Sequence, residues 1–371
     1  MSEYSRTASL QSDLPGSRIP WAVEFELTTR CNLNCRHCHI NQPAADKRAR
    51  ESELSASEIL DIAAEAINLG TLWCLLTGGE PLLRDDFEAI YIGLKKAGLL
   101  VSVFTNATCV QSAHVDLFRK YPPRDIEVSV YGTTPQTYEA VTRVPGSHAR
   151  FLAGMARLRE GGIPMRLKSV LMQSNVHEHA EIARFCRRHT KDYYRFDPHL
   201  NLRFDHDPVR NQDILAERLT ADQMVAIERE DPERIEALCK GADTLIGEDF
   251  AGIQCDHRFH CGAGQDGFTI GADGTLRLCS SLWAEGTTYD VRHGSVADAW
   301  NRFIPQVQDQ RSRCISFLET CHRCPIVNLC MWCPANAHLE TGDMDAFVPG
   351  FCEQAHKRVE GVGHVRKCLH D

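Results

Sequence analysis

The sequence lacks the features of a membrane protein, a secreted protein and a nucleic-acid-binding protein. No apolar run approaches the length of about 20 residues that a membrane-spanning helix needs. Residues 1–20 are polar and have no apolar core of a signal peptide. The net charge is −9, whereas proteins that bind nucleic acid usually carry a basic surface. We therefore predict a cytoplasmic protein with a flexible tail over residues 1–20 and no membrane or nucleic-acid partner.

Cysteine, in contrast, is abundant. The chain of 371 residues contains 17 cysteines, while its 43% hydrophobic and 25% charged residues are ordinary for a globular protein. A reducing compartment disfavours disulfides, and an odd count leaves at least one thiol unpaired. Metal ligation therefore explains the cysteine content better than disulfide formation does.

Short apolar runs alternate with amphipathic segments over residues 21–207. This alternation predicts a parallel sheet covered by helices, and thus an α/β fold. Six such units predict a partial (β/α)6 TIM barrel rather than a complete barrel of eight strands. The predicted strands are Ala22–Leu27, Leu72–Thr77, Val101–Thr105, Ile126–Tyr131, Met165–Met172 and Arg195–His199. The predicted helices are Ala56–Leu69, Asp86–Ala97, Ala113–Lys120, Gly154–Gly161 and Glu178–His189.

Two further regions follow the predicted barrel. Residues 208–252 are rich in Glu, Asp, Arg and Ala and predict a helical bridge, whose charges we interpret as a solvated face. Residues 253–371 are dense in Cys, Gly and Pro and predict a separate C-terminal domain. Within it, Gly267–Ile270 and Thr275–Leu278 flank the turn Ala272-Asp273-Gly274 and predict a β-hairpin.

Three cysteines, Cys31, Cys35 and Cys38, directly follow the first predicted strand and are called the cysteine triplet below. They are expected at the carboxyl end of that strand, where barrel active sites lie. Three thiolates at this spacing suit three corners of a four-iron cluster and leave one iron free for another ligand. The alternative is a zinc site completed by His37 or His39.

A second motif, Gly78-Gly79-Glu80-Pro81, closes the second predicted strand. Alone it is a plausible turn, although glycine also lets a backbone approach a ligand closely. Together with the triplet it resembles the radical S-adenosylmethionine (radical SAM) superfamily. The resemblance implies that the free iron of a [4Fe-4S] cluster binds the methionine moiety of S-adenosylmethionine. Reductive cleavage then yields a 5′-deoxyadenosyl radical that abstracts hydrogen from a substrate.

The same resemblance implies residues that contact the cofactor. Ser129 occupies the place of a ribose-binding residue, although Tyr131 departs from the acid that the family often has there. Thr105-Asn106 closes the third strand and either lines the pocket or caps a helix. The implied cofactor-binding residues are His37, Gly78, Gly79, Glu80, Pro81, Ser129 and Arg143. For Arg143 a surface arginine is the alternative, and the sequence identifies no catalytic acid or base.

Eight cysteines of the C-terminal domain resemble the SPASM extension, which holds two auxiliary [4Fe-4S] clusters and brings the expected total to three. The implied ligands of the first auxiliary cluster are Cys255, Cys261, Cys279 and Cys333. The implied ligands of the second are Cys321, Cys324, Cys330 and Cys352. The family usually has three residues between the positions of Cys330 and Cys333, but this chain has two, which leaves their assignment open. Structural zinc sites are the alternative.

SPASM proteins mostly modify peptides, so the resemblance implies maturation of a ribosomally made peptide or protein by oxidation, crosslinking or thioether formation. Ser280 after Cys279 disfavours the sulfatase-maturing branch, which has an acid there. We expect a separate leader-peptide-binding carrier protein and an external reductant of flavodoxin or ferredoxin type. One alternative is a radical SAM dehydrogenase or carbon–carbon bond-forming enzyme acting on a cofactor or sugar precursor. Another is a non-catalytic iron–sulfur or zinc protein.

Overall fold

The computed structural model describes residues 18–190, 194–236, 238, 256–259 and 261–370. Its strands are β1 Ala22–Glu26, β2 Arg30–Cys31, β3 Gln42–Pro43, β4 Trp73–Thr77, β5 Leu100–Thr105, β6 Asp125–Val130, β7 Met165–Val170, β8 Arg195–Asp197, β9 Gly267–Ile270, β10 Thr275–Arg277 and β11 Thr288–Asp290. Its helices up to residue 230 are α1 Lys47–Ser52, α2 Ala56–Asn68, α3 Phe87–Lys96, α4 Ser112–Lys120, α5 Pro135–Thr142, α6 Ser147–Glu160, α7 His179–His189, α8 Pro208–Glu217 and α9 Ala221–Glu230.

Shorter elements dominate the C-terminal region. Its helices are α10 Val296–Asp298, α11 Ile304–Gln308, α12 Ile315–Glu319, α13 Pro334–Thr341 and α14 Pro349–His370. A π-helical turn, Ala299–Phe303, joins α10 to α11. Single 3₁₀ turns occur at Pro81–Leu83, Val176–Glu178 and Val327–Leu329. No helix of the described part of the chain is long and apolar enough to cross a membrane.

Six parallel strands form the barrel wall, as the sequence predicts. β1 and β4 through β8 pair in chain order, and each neighbouring pair is parallel. The helices between them are amphipathic and begin at recognisable caps. In α2, for example, Ser55 and Glu58 form a capping box, and Ile59, Ile62 and Ala66 are buried against the sheet. The α/β class and the partial barrel are thereby confirmed.

The predicted hairpin forms, but it also extends the barrel sheet. β9 pairs in parallel with β1, with Ala22 opposite Gly267, so the sheet has nine strands in the order β11-β10-β9-β1-β4-β5-β6-β7-β8. A Cβ atom at Gly267 would lie 2.6 Å from the Ala22 carbonyl oxygen, so this close pairing requires glycine. The side chain of Arg277 on β10 is buried and pairs with Glu26 of β1. The cysteine-rich region is thus joined directly to the barrel.

Several features differ from the prediction. Strands β7 and β8 end at Val170 and Asp197, before the predicted ends Met172 and His199. Helix α6 begins at Ser147 rather than Gly154, because its N-cap is Gly146 (φ 73°), which provides no side-chain cap to mark the start. The charges of residues 208–236 are not all solvated. Glu217 and Glu228 are buried, and Glu228 forms an ion pair with Arg358 of α14 at 2.7 Å. Much of the predicted helical bridge, residue 237 and residues 239–252, lies outside the described residues.

Candidate active site

The cysteine triplet lies on the loop that follows β1. The short pairing of β2 with β3 fixes the start of this loop, with Cys31 opposite Pro43. Backbone N–H groups of Asn34 and Arg36 donate to the carbonyls of Thr142 and Val141 at the end of α5. Free carbonyls at a helix end need such donors, so the end of α5 and the triplet loop stabilise each other.

Two arginines beyond the barrel, neither of them predicted from the sequence, also hold the triplet loop. Arg203 donates to the carbonyl of Cys38 at 3.3 Å, and Arg210 donates to the carbonyl of Cys35 at 3.1 Å. Arg203 is buried and itself paired with Asp205. Because they contact backbone atoms, no motif marks them in the sequence.

All three triplet cysteines line a cavity of about 260 Å³ at the carboxyl ends of the parallel strands, called the upper cavity below. Of the predicted cofactor residues, His37, Gly78, Gly79 and Ser129 line it as well. Two strand ends that are far apart in sequence therefore come together, as the two motifs predict. Asp197, His199 and Lys168 line the same cavity.

The two glycines of the second motif pack against the triplet loop. Gly78 has φ +128°, and a Cβ atom there would lie 2.3 Å from the Thr28 carbonyl oxygen. A Cβ atom at Gly79 would lie 2.2 Å from the Arg30 carbonyl oxygen. From the sequence, these glycines are expected to allow close approach of a ligand. The structure adds a second reason, since any side chain here would push the two loops apart.

Glu80 and Pro81 do not line the upper cavity. The buried carboxylate of Glu80 accepts hydrogen bonds from Thr105 Oγ1 and the Asn106 N–H, both at 2.8 Å, and from the Leu82 N–H at 3.1 Å. Burial raises the pKa of Glu80 to about 7 against the opposing effect of these three donors. Pro81 begins the 3₁₀ turn that follows. In this arrangement Glu80 fixes the end of β5 beside the triplet loop.

Arg143 also points away from the upper cavity. It ends α5 in the left-handed conformation with φ 55°. Its guanidinium lies 2.7 Å from the carboxylate of Asp213 on α8. This ion pair raises the pKa of Arg143, with smaller contributions from Glu217 and Cys35. The structure therefore shows a contact between the barrel and α8, while the predicted role on the cofactor carboxylate remains a prediction.

His37 and Tyr131 stand together at one side of the upper cavity, with ring centroids 5.2 Å apart. The His37 Nδ1 atom is buried and has no hydrogen-bond partner among the described residues. Burial lowers the pKa of His37 to about 3, so the imidazole is neutral at physiological pH. Burial raises the pKa of the Cys35 thiol, and a hydrogen bond from the Tyr131 hydroxyl partly opposes that effect. Tyr131 thus contacts a triplet thiol.

The triplet fits the cluster that the sequence implies. Three soft sulfur donors face one cavity, and all three are free thiols. Burial raises the pKa of Cys31, and the neighbouring charges of Glu80 and Cys38 raise it further. Bound iron supplies the positive charge that such thiolates need. Among the described residues, no three Cys, His, Asp or Glu side chains are grouped to hold a single metal ion.

A larger cavity of about 430 Å³, called the lower cavity below, opens at the amino ends of the barrel strands. Phe104 lines both cavities and therefore lies between them. The Lys168 ammonium is 4.3 Å from the Phe104 ring centroid and 2.6 Å from Glu127 Oε1. Since Lys168 lines the upper cavity and Glu127 the lower one, these three side chains form the floor between the cavities.

Acidic and basic side chains both line the lower cavity. Glu24 and Arg166 lie on its wall, as do Cys279 and Ser280. Burial raises the pKa of Glu24 to about 7, the charge of Glu26 adds to this effect, and Arg277 and Lys168 oppose it. Glu24 is therefore a carboxyl that changes charge near neutral pH inside the barrel. Glu24 was not predicted as a site residue. The signal in the sequence was the pair of alternating carboxylates, Glu24 and Glu26, in a buried strand.

The C-terminal cysteines fall into two groups. Four thiols line one small cavity of about 40 Å³ whose remaining lining is apolar; they are Cys321, Cys324, Cys330 and Cys352. This group is called the four-cysteine cavity below. Cys279 interacts electrostatically with Cys333 and Cys261, so these three form the second group. Cys255 lies outside the described residues.

Further residues at the ends of the barrel strands line one cavity or the other. Thr105 and Asn106 line the upper cavity. Asp197 and His199 do so as well, whereas Arg195 lines the lower cavity. Tyr193 lies outside the described residues.

Comparison with known proteins shows what most of the barrel is similar to. Residues 25–186 match the model of the radical SAM superfamily. The chain is 32% identical over 163 residues to the AdoMet-dependent heme synthase of Methanosarcina barkeri, covering 44% of this chain and 46% of that protein. It is 29% identical over 184 residues to the PqqA peptide cyclase of Rhizobium meliloti, covering 50% of this chain and 48% of that protein. The aligned part thus spans about half the length of these curated relatives.

Solved structures share the fold over most of the chain. Streptococcus suis SuiB bound to S-adenosylmethionine has a TM-score of 0.66 at 15% identity and covers 94% of this chain and 78% of that one. Native anSMEcpe with bound AdoMet and the Kp18Cys peptide has a TM-score of 0.63 at 11% identity and covers 94% of this chain and 98% of that one. At these identities the likeness concerns the fold alone.

Proposed function

Because residues 25–186 form a radical SAM domain, we propose that this chain cleaves S-adenosylmethionine reductively and removes hydrogen from a ribosomally made peptide or protein. The observation that carries the proposal is the upper cavity, where the cysteine triplet meets Gly78 and Gly79. In this proposal Cys31, Cys35 and Cys38 hold a [4Fe-4S] cluster. When bound there, the cluster would provide the electron for cleavage of S-adenosylmethionine into methionine and a 5′-deoxyadenosyl radical.

Residues of the upper cavity orient the cofactor in this proposal. The backbone at Gly78 and Gly79, which lines the upper cavity, is the proposed partner of the methionine amino group. The neutral His37 ring, supported by Tyr131, offers a face for the adenine. Ser129, near the end of β6, lines the same cavity and is the proposed partner of the ribose.

The lower cavity is the proposed place for the reacting part of the peptide. It is larger than the upper cavity and meets it at Phe104, so a side chain inserted from below approaches the cofactor at the floor formed by Phe104, Lys168 and Glu127. Enclosure by the barrel keeps water from the radical, as such chemistry requires. Two similarities support a peptide substrate. Relatives of this chain include the PqqA peptide cyclases, and SuiB, a protein of the same fold, has been crystallised bound to the precursor peptide SuiA.

The two cysteine groups of the C-terminal region are the proposed sites of auxiliary clusters. Four thiols around the four-cysteine cavity match the four irons of one cubane. Cys261, Cys279 and Cys333, completed by Cys255, are the proposed ligands of the other. This grouping supports the assignment of Cys330 and Cys333 to different clusters. The proposed partners are a flavodoxin- or ferredoxin-type reductant and a separate carrier protein that delivers the peptide.

Anaerobic reconstitution with iron and sulfide, followed by S-adenosylmethionine and dithionite, tests this function. We expect the wild-type protein to form 5′-deoxyadenosine and methionine, and Cys35→Ala to form neither. Cys186→Ala is the matched control, because Cys186 is buried in α7 away from both cavities. Iron-loaded wild-type protein that forms no 5′-deoxyadenosine, or equal formation by Cys35→Ala, contradicts the proposal.

A second candidate function is favoured by one similarity. The 32% identity to an AdoMet-dependent heme synthase points to a small-molecule cofactor precursor as the substrate. Transfer of deuterium into 5′-deoxyadenosine separates the candidates. A deuterated precursor peptide that transfers its label supports the first function, and transfer only from a deuterated small-molecule precursor supports the second.

A further inference from the structure

Asn106 contacts the cysteine triplet from a neighbouring strand end. It directly follows β5, its side chain is 7% exposed, and its backbone N–H donates to Glu80 Oε2 at 2.8 Å. The next residue, Ala107, is fully buried and has φ 61°, a conformation that turns the chain sharply toward Thr108. The backbone around Asn106 is therefore fixed on both sides.

The hydrogen bonds of Asn106 also fix which end of its amide faces the triplet. Asn106 Oδ1 accepts from the Thr108 backbone N–H at 2.8 Å. A backbone N–H only donates, so the oxygen must be on that side. Nδ2 is consequently on the other side, where it donates to Asn32 Oδ1 at 3.0 Å and lies 3.8 Å from Cys31 Sγ.

A closed ring of side chains holds this orientation. Asn32 Nδ2 donates to Thr108 Oγ1 at 2.7 Å, and Thr108 Oγ1 donates to Asn106 Oδ1 at 2.5 Å. Each of the three side chains bonds the other two. Rotation of the Asn106 amide would place its oxygen against Asn32 Oδ1 and its nitrogen against the Thr108 N–H. The amide therefore keeps its N–H directed at Cys31.

We propose that Asn106 is a positioning residue whose amide N–H raises the reduction potential of the cluster on the cysteine triplet. The inference rests on the proposed function, because it requires that the triplet holds a cluster. A reduced cluster carries one more negative charge, and a donor aimed at a ligand sulfur stabilises that charge. The interaction is strong where water is excluded. The Leu33 N–H, 3.4 Å from the same sulfur, acts in the same direction.

A purely structural role for Asn106 predicts a different outcome. In that case the ring of Asn32, Asn106 and Thr108 only ties two loops together, and its loss lowers the stability of the fold. The potential of a cluster that still assembles would then be unchanged. The reduction potential is therefore the measurement that separates the two roles.

The test is a redox titration of the reconstituted full chain, followed by electron paramagnetic resonance without S-adenosylmethionine. The signal of the triplet cluster is the one that Cys35→Ala lacks. We expect Asn106→Ala to titrate at a lower potential than the wild type. Asn106→Asp is expected at a still lower potential, because it replaces the donor with a negative charge.

Two further variants keep the test decisive. Asn106→Ser is included in case the alanine variant does not assemble the cluster. The serine hydroxyl still accepts from the Thr108 N–H, but the side chain is too short to reach Cys31. We therefore expect a lower potential for this variant as well. Thr108→Ser is the matched control, because it keeps both bonds to Asn106 Oδ1, and it is expected at the wild-type potential. Unchanged or higher potentials in the alanine and serine variants overturn the proposal. Absence of the triplet signal from the wild type instead refutes the proposed function.

Discussion

At the scale of single residues, Glu80 links the two motifs of the barrel. Its carboxylate is fully buried, and all three of its hydrogen-bond partners are donors. An ionised carboxylate satisfies them, whereas an amide at the same place presents a donor to a donor. The residue that resembles part of a cofactor motif thus also determines how β5 meets the triplet loop.

We predict that Glu80→Gln lowers the free energy of unfolding by about 1–3 kcal/mol, the usual cost of leaving a buried polar group unpaired. Chemical denaturation of the apo protein at pH 8 measures this change. The control is Glu88→Gln, since Glu88 is exposed on α3 and its substitution is expected to change stability by less than about 0.5 kcal/mol. Equal stability of both variants contradicts the role assigned to Glu80.

Glu24 gives a pH-dependent prediction. Its pKa rises from 4.5 in the unfolded chain to about 7 in the barrel, chiefly by burial. The folded state therefore binds a proton more tightly, so the contribution of Glu24 to stability falls as pH rises from 4.5 to about 7. Each pKa unit corresponds to about 1.4 kcal/mol.

The matched variant is Glu24→Gln, which cannot ionise. We predict that the stability of the wild type relative to this variant declines between pH 5 and pH 7, as measured by denaturation at each pH. A difference that is constant across this range shows that Glu24 is ionised throughout and contradicts the account.

At the scale of secondary structure elements, the sequence predicts each barrel strand because the apolar runs are short and regularly spaced. It also predicts the hairpin of β9 and β10 from Asp273 and Gly274, which form its turn. The parallel pairing of β9 with β1 is not predictable in this way, because the paired residues Ala22 and Gly267 are remote in sequence and neither carries a local signal. Strands β2 and β3 are also not predictable from a local pattern, because they have two residues each.

The ion pair between Arg277 and Glu26 stabilises the contact between the hairpin and β1. Both side chains are buried, so removal of one partner leaves the other charge unpaired away from water. We predict that Arg277→Met lowers the free energy of unfolding by about 3–5 kcal/mol, and that Glu26→Gln in the same chain restores part of the loss. Denaturation of the single and double variants measures both changes.

Arg302→Met is the control for this pair. Arg302 forms an exposed pair with Asp298 four residues earlier in sequence, with a side chain 77% exposed, and such pairs contribute about 0.5 kcal/mol or less. If Arg277→Met is no more harmful than Arg302→Met, the hairpin is not anchored through Arg277.

At the scale of the whole molecule, the chain places three cysteine-lined regions around one barrel. The triplet and its partner motif were predictable as a site, because both follow strand ends and parallel strands end at the same edge of a sheet. The floor formed by Phe104, Lys168 and Glu127 was not predictable from the sequence. It depends on which residues of different strands point into the barrel at the same level along its axis. The family resemblance already implied different clusters for Cys330 and Cys333 but left the assignment open, and in the folded chain only Cys330 of the two lines the four-cysteine cavity.

The cysteine grouping predicts iron content. Three four-iron clusters give about 12 iron atoms per chain. We predict that Cys352→Ala holds about 8, because only the cluster of the four-cysteine cavity is lost. Cys314→Ala is the control and is expected to retain the wild-type content, since Cys314 does not line that cavity. Loss of the same cluster from Cys314→Ala would assign that thiol as a ligand and contradict the grouping.

We propose that the triplet holds a cluster with an iron open to S-adenosylmethionine in the upper cavity, and binding of isotope-labelled S-adenosylmethionine tests this proposal. The reduced, reconstituted protein is mixed with S-adenosylmethionine carrying ¹⁵N in its amino group and ¹³C in its carboxylate, and is examined by pulsed electron paramagnetic resonance. The account predicts couplings of both labels to the cluster in the wild type and in Cys352→Ala, and none in Cys35→Ala. A triplet cluster that shows neither coupling, or a triplet that binds zinc instead of iron, would contradict it.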